Sequence, residues 1–380
     1  MNMTTRDAII KAQLAAYLAA DRKEKGRILD AISRTTAMSR KAAMRRLRTL
    51  QLRRADWQDR RGGKVEYGPA VAAALREIWE LQGRICAERM HHSIPEAVRV
   101  LARDKMWHHD AETTALLLRM SLGTLKDRIG RFPRVKKGGG RSATKPSGLK
   151  ELIPIRRGPW ENPPPGKGEI DTVAHCGMTL AGDFVYTVQY TDVATIWTLL
   201  SAQWQKGEEA TVASIEAMAS RLPFPLLGLD PDSGSEFVNW HLKKWCDARG
   251  IDMTRIRPGE KNDHARIEQK NYANVRHVVG YGRFDDPGQV GILNALYLAL
   301  EDYLNFFIPS MKCVEKIREG GKTKRKYDPA QTAYQRVLAH PLVGKEVKQE
   351  LRRKYATLNP KVLRSQIDAL LKRLGGPKQP

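Results

Sequence analysis

A chain of 380 residues has room for two to four domains, and an apolar content of 41% is enough to fill their cores. Cys86, Cys176, Cys246 and Cys313 stand far apart with no Cys-x-x-Cys pair, which argues against a disulfide scaffold and a zinc module. A net charge of +24 points to a polyanionic partner, and the lack of any apolar run near 18 residues argues against a membrane span.

The charge is segregated along the chain. Residues 1–150 carry +18, residues 151–309 carry −6 and residues 310–380 carry +12. A solvated surface alone rarely sorts its charge this way. A basic, acidic, basic order fits a protein whose outer parts lie on nucleic acid.

Residues 1–64 read as a helical DNA-binding module. Ile28, Leu29 and Ile32 form one apolar stripe, a break follows at 35–38, and Ser39 is placed to cap a helix over 39–50. Met44, Leu47 and Leu50 mark the expected buried side of that helix, and Arg40, Lys41, Arg45, Arg46 and Arg48 mark the rest. Helix, short turn, basic helix is the helix-turn-helix pattern, although an ordinary basic helical hairpin shares it. Residues 69–132 read as a second helical block: a long helix over 70–89, then 95–105, 111–119 and 122–131, the last opened by Ser121. Lys126 and Arg128 make this block a second candidate DNA-binding module. The paired histidines His91-His92 and His108-His109 read as helix-end or surface residues.

Residues 133–167 are linker-like. Lys136 and Lys137 precede three glycines, and prolines then recur up to 163–165. Such a stretch builds no core, and its cations can track phosphates.

Residues 168–309 carry an α/β pattern. Strands are expected over 169–175, 184–190 and 196–203, followed by a helix over 209–221. A short buried strand at 226–229, a helix at 236–249, a strand at 251–256, and helices at 263–279 and 290–307 complete the series. Three strands, helix, strand, helix, strand, helix is the order of a ribonuclease-H-like fold with a mixed five-stranded sheet. Residues 310–380 form a basic C-terminal region suited to DNA binding or assembly. Gly320-Gly321 can turn a hairpin whose second arm carries Lys322, Lys324, Arg325 and Lys326, and three short helices are expected over 328–338, 344–355 and 362–374.

Within the α/β segment three acids stand out. Asp171 lies in GEIDTV, Asp232 in GLDPDSGSEF and Glu268 in NDHARIEQKN. Acids brought together from separate elements can hold two divalent cations for phosphoryl transfer. Oxygen ligands suit Mg²⁺ or Mn²⁺, two ions per site, and three clustered carboxylates would repel one another without them. On the helix bearing Glu268, the side chains of His264, Asn271, Tyr272 and Val275 share its face. Lys261, Arg266 and Lys270 flank the acid and are candidates for DNA contact, against the alternative of a solvated basic face. Any single acid is most often a solvated surface residue. Glu169, Asp192, Asp230 and Glu236 are neighbouring rivals, and Asp192 is placed to serve a turn after the second strand.

Residues 168–280 resemble the catalytic core of bacterial insertion-sequence transposases related to retroviral integrases. DPDSGSEF resembles the family's Ser-Asp-Asn-Gly-Ser-Glu-Phe segment, which puts Asp232 rather than Asp230 in the catalytic place. IRPGEKNDHARIEQKN resembles its closing segment and marks Glu268, GEIDTV resembles its first strand and marks Asp171, and YTDVAT around Asp192 resembles its turn after strand two. Pro231 and Ser233 depart from the Ser and Asn that family members often carry. The resemblance implies a DDE triad with two divalent metals, cleavage of 3′ strand ends, strand transfer into target DNA, and a homo-oligomer on paired double-stranded DNA ends. With no apolar run near 18 residues and no signal-like N-terminus, a bacterial cytoplasmic, nucleoid-associated protein with no membrane partner is expected. A helper ATPase is not fixed by the sequence. An inactive DNA-bound regulator, or a nuclease that cuts without joining, are the rival readings.

Overall fold

The computed structural model describes residues 3–52, 66–132, 163–231, 240–254, 271–319 and 322–375. The chain divides into two compact units, Met1–Glu66 and Tyr67–Pro380.

The first unit contains helices Met3–Ala12, Leu14–Ala19, Arg22–Thr36 and Arg40–Gln51. The carboxylate of Asp21 accepts from the Glu24 amide and the Ser39 hydroxyl from the Ala42 amide, so the two longer helices each open on a side-chain cap. Ala37, in the left-handed conformation, closes the first of them. Ile10, Leu29, Ile32, Ala43, Leu47 and Leu50 form the core. Met44, expected on the buried side, is 48% exposed. The buried positions 43, 47 and 50 define a stripe that leaves 44 a step around the helix.

The second unit opens with helices Pro69–Leu81, Ala87–Met90, Ile94–Arg103, Ala111–Arg119 and Leu122–Gly130. The single helix expected over 70–89 is two helices. Gly83 at φ 70 and Arg84 at φ 60 take the chain through the left-handed region, which no continuing helix permits. Leu75, Ile78, Met90, Leu101, Leu117 and Leu125 pack between these helices.

The sheet follows, with β1 at Lys167–Ala174, β2 at Val185–Asp192, β3 at Thr198–Trp204, β4 at Gly228–Pro231 and β5 at Asp252–Met253. Their order is β3-β2-β1-β4-β5. The first three strands run antiparallel as a meander, while β4 and β5 run parallel to β1. Helix Glu208–Ala219 lies between β3 and β4 in the chain, and Trp240–Ala248 between β4 and β5. This mixed five-stranded sheet with flanking helices has the strand order expected of a ribonuclease-H-like core. Two glycines at its entrance have steric causes. A Cβ on Gly168 would lie 2.2 Å from the Tyr190 ring, and Gly166 sits at φ 104 with the Pro225 carbonyl 2.1 Å from where a Cβ would be.

Helix Gly288–Phe307 closes the free edge of β3. Asn294 accepts from the Ala202 amide at 2.7 Å and donates to its carbonyl at 3.0 Å. Asn305 does the same for Thr198, both bonds at 2.8 Å. Between them Glu301 accepts from the Leu200 amide at 2.7 Å, and Arg221 donates to the Leu200 carbonyl while pairing with Glu301, each at 2.9 Å. Side chains therefore occupy the hydrogen-bonding groups that another strand would otherwise seek.

A hairpin of β6, Cys313–Glu319, and β7, Lys322–Tyr327, is followed by helices Ala333–Ala339, Lys345–Thr357 and Pro360–Arg373. The last helices reach back to the helices of 69–130 in the same unit. Tyr355 donates to Glu96, Asn359 to Asp104 at 2.5 Å, and Lys361 to the Met106 carbonyl at 2.8 Å. Among the described residues no helix is long and apolar enough to cross a membrane.

Candidate active site

Strand pairing decides which side chains share a face of the sheet. Asp171 on β1 stands opposite Gln189 on β2, and Glu169 stands opposite both Thr191 on β2 and Asp230 on β4. Directly paired positions project to one side, so Glu169, Asp171, Gln189, Thr191 and Asp230 line a single face. Alternation sends Ile170, Val188 and Leu229 to the other face, into the main apolar core. The result is a row of three acids, one amide and one hydroxyl laid across the middle of the sheet.

Asp171 is held at both carboxylate oxygens. Its Oδ1 accepts from the Thr172 amide at 2.7 Å, and its Oδ2 accepts from Asn271 Nδ2 at 2.5 Å. Asn271 begins a π-helical segment, Asn271–Arg276, that continues as His277–Val279. At the far end of that segment Arg276 donates to the Ala174 carbonyl at 2.6 Å. The segment thus grips β1 at two points, and π-helical turns of this kind recur at functional sites. Asn271 is three residues beyond Glu268 in the chain.

Around Asp171 several buried polar atoms have no partner among the described residues. They include both amide atoms of Gln189 and Oδ1 of Asn271. One strand position further on, the Thr187 hydroxyl is satisfied by His175 Nε2 at 2.7 Å and by the Tyr297 hydroxyl at 2.5 Å. His175 is buried against the Phe284 ring, and desolvation, with Arg276 nearby, holds its imidazole down at about 3.

Of the rival acids, Glu169 and Asp230 share this face, while Asp192 serves a turn. Asp230 is buried inside β4 and accepts from the Thr254 hydroxyl at 2.8 Å. Glu169 is also buried, across from it. Asp192 serves the turn between β2 and β3: its Oδ1 accepts from the Thr195 amide at 2.7 Å and its Oδ2 from the Gly166 amide at 2.8 Å. Burial pushes the Asp192 carboxyl up, against those hydrogen bonds.

Two of the three expected acids, Asp232 and Glu268, lie outside the described residues, as do Lys136, Lys137, Lys261, Arg266, Lys270 and the rival Glu236. β4 ends one residue before Asp232, and its last pair is Pro231 with Ile170, the residue before Asp171. Among the described residues no group of three metal-ligating side chains converges.

The basic residues singled out from sequence divide by surroundings. On helix Arg40–Gln51, Lys41, Arg45 and Arg48 face solvent and Arg40 pairs with Asp30 at 3.2 Å. Arg46 turns inward instead. Its guanidinium takes both oxygens of Asp7, with Nε to Oδ1 at 2.6 Å. Its place one turn before Leu50 and beside Leu47 puts it at the margin of the core stripe. Lys126 pairs with Glu88 at 2.9 Å, and Arg128 lies over the Tyr67 ring at 5.9 Å. On β7 the side chains of Lys324, Arg325 and Lys326 are exposed, and Lys326 lies 3.6 Å from Glu315; Lys322 opens the same strand.

Gln189 escaped the sequence reading. Its signal is a lone amide in VYTVQYT, a run otherwise made of strand-forming residues that reads as an ordinary buried strand.

No family model matches the chain. The uncharacterized protein y4rM of Sinorhizobium fredii is 36% identical over 331 residues, which span 87% of this chain and 94% of that protein. Two structures of the HTLV-2 integrase catalytic core domain in complex with magnesium, a dimeric and a trimeric form, are also similar. They cover 43% and 42% of this chain and 96% and 93% of their own, at 13% and 14% identity, each with a TM-score of 0.28. At that level of likeness the fold assignment rests on the strand order itself.

Proposed function

We propose that this chain, which belongs to the same family as the Sinorhizobium fredii protein y4rM, is a DDE transposase. It binds the ends of its own mobile element, cleaves a 3′ strand end and joins that end to target DNA. Asp171, Asp232 and Glu268 are the metal ligands, and the protein acts as a homo-oligomer on paired double-stranded ends in the bacterial nucleoid.

The observation that carries this reading is the contact of Asn271 with Asp171, residues 100 apart in the chain. The Asn271 amide ties the segment that follows Glu268 to the acid of β1. β4, which leads into Asp232, runs parallel beside the same strand. At the described edges of these motifs, Pro231 pairs with the residue before Asp171, and Asn271 bonds Asp171 itself. An all-oxygen donor set suits Mg²⁺ or Mn²⁺. Two such ions would supply activation of the attacking oxygen and stabilisation of the leaving one. The chain's own part is to fix the ligands. Asp171 has one oxygen anchored on its neighbouring amide and the other on Asn271, so it enters the site with its orientation set. Lys41, Arg45, Arg48 and the basic residues of β7 supply phosphate contacts that position the DNA.

The test is a strand-transfer assay with Mg²⁺ and pre-cleaved DNA ends taken from inverted repeats that bracket the gene. The wild-type protein yields joined product. Asp171→Asn, Asp232→Asn and Glu268→Gln each abolish joining and leave end binding intact. Normal joining by Asp232→Asn would refute the site, and cutting without joined product would mark a nuclease.

A further inference from the structure

We infer that Gln189 is a positioning residue for a hydrated divalent cation at Asp171, an inference that rests on the metal-dependent reading above. Gln189 lies on β2 directly across from Asp171 and projects from the same face. It is fully buried, and neither Oε1 nor Nε2 has a hydrogen-bond partner among the described residues. The threonines on either side of it are better placed. Thr187 bonds His175 and Tyr297, and Thr191 lies 3.5 Å from the Thr198 hydroxyl.

A buried amide with both ends unsatisfied destabilises a fold, and a methionine would fill similar space without that penalty. An amide at this position is explained if its partners arrive with a ligand. Asn271 supports the same conclusion from the opposite side of the carboxylate. Its Nδ2 is spent on Asp171, while its Oδ1 is buried and has no partner among the described residues. The two amides together offer two acceptors and one donor beside one acid. A cation's bound waters are donors and need acceptors, and a neighbouring carboxylate oxygen needs a donor. Gln189 matches both: Oε1 accepts from a water of the hydrated ion and Nε2 donates to a carboxylate of the site. Partners of this outer kind orient ligands and tune affinity.

Two measurements on the full-length protein test this: Mn²⁺ binding followed by the spectrum of the free ion, and thermal melting with and without MgCl₂. Gln189→Met should melt at the same or a higher temperature than wild type without metal. Its Mn²⁺ midpoint should rise by about tenfold or more, the lower end of what loss of an outer-shell partner costs. A lower metal-free melting temperature with an unchanged Mn²⁺ midpoint would overturn the inference, because Gln189 would then be a packing residue. Should Gln189→Met fail to fold, Gln189→Glu serves. It should bind Mn²⁺ more tightly than wild type and show a larger metal-induced rise in melting temperature, and equality with wild type would overturn the inference. Asp171→Asn separates the two levels. If it leaves Mn²⁺ binding unchanged, the metal reading fails and this inference with it. If it abolishes binding while the Gln189 variants match wild type, this inference alone fails.

Discussion

His175 shows how strongly a single buried position constrains the domain. It follows β1 directly, four residues past Asp171, with its ring against Phe284 and Nε2 on Thr187. Burial, aided by the nearby Arg276 charge, holds its pKa at about 3, against 6.5 for the unperturbed group. The unfolded chain therefore takes up a proton near pH 6.5 that the folded chain refuses until about pH 3. Stability from this residue is fully present above pH 6.5 and falls as pH drops, by about 1.4 kcal/mol per pH unit below that point. Urea unfolding at pH 7, 6 and 5 should show this slope. His175→Gln, which has no proton to take up, should be less stable at pH 7 and flatter between pH 6.5 and 5. An identical slope in the two proteins would place the titration elsewhere. Gly168, three residues before Asp171 in the same strand, illustrates a different kind of constraint. Its neighbour is the Tyr190 ring, so this motif glycine answers to packing rather than to chemistry.

At the scale of elements, the edge of β3 and the helix Gly288–Phe307 depend on each other. Asn305 satisfies both backbone groups of Thr198 from a buried position, and Asn294 does the same for Ala202 from a half-buried one. Asn305→Ala should cost about 2 kcal/mol in urea unfolding, and Asn294→Ala less because water can replace part of its role. Amide exchange at Thr198 and Ala202 respectively should accelerate, and an Asn294→Ala/Asn305→Ala double variant should associate with rising concentration through its opened edge. Undiminished stability of Asn305→Ala would mean that the helix holds the sheet by apolar contact alone. The strands themselves were legible because period-two patterning is local. Expected strands at 169–175, 184–190 and 196–203 correspond to Lys167–Ala174, Val185–Asp192 and Thr198–Trp204. The edge cap was not legible, because it depends on side chains some 92 to 107 residues away. The break at Gly83 and Arg84 was missed for another reason. Apolar periodicity continues through it, and an arginine gives no warning of a positive φ. Asp171 stood out from its motif and Asn271 from its spacing to Glu268, and the structure joins these two by a hydrogen bond. Gln189 becomes informative only once the register sets it against Asp171.

On the scale of the whole molecule, the segment from 151 to 309 that carries the acids is net negative, at −6, and would repel a phosphodiester backbone on its own. On the proposed reading, the flanks, at +18 and +12, supply the attraction. That attraction should appear as salt dependence, with about 0.9 unit of slope in log affinity against log salt for each phosphate neutralised on duplex DNA. The surroundings of each cation predict which ones count. Lys41, Arg45 and Arg48 face solvent on one helix, so Lys41→Ala/Arg45→Ala/Arg48→Ala should reduce the slope by about 2 to 3. Lys324→Ala/Arg325→Ala/Lys326→Ala on β7 should also reduce it, by less, because Lys326 already lies against Glu315. Arg46, on the same helix as the first set, is committed to Asp7, and Arg46→Ala should leave the slope unchanged while lowering the melting temperature of the first unit. Fluorescence anisotropy with labelled duplex between about 50 and 200 mM salt reads these slopes directly. A full slope change from Arg46→Ala, with none from its exposed neighbours, would mean that DNA breaks the Asp7 pair and docks on the opposite face of the helix.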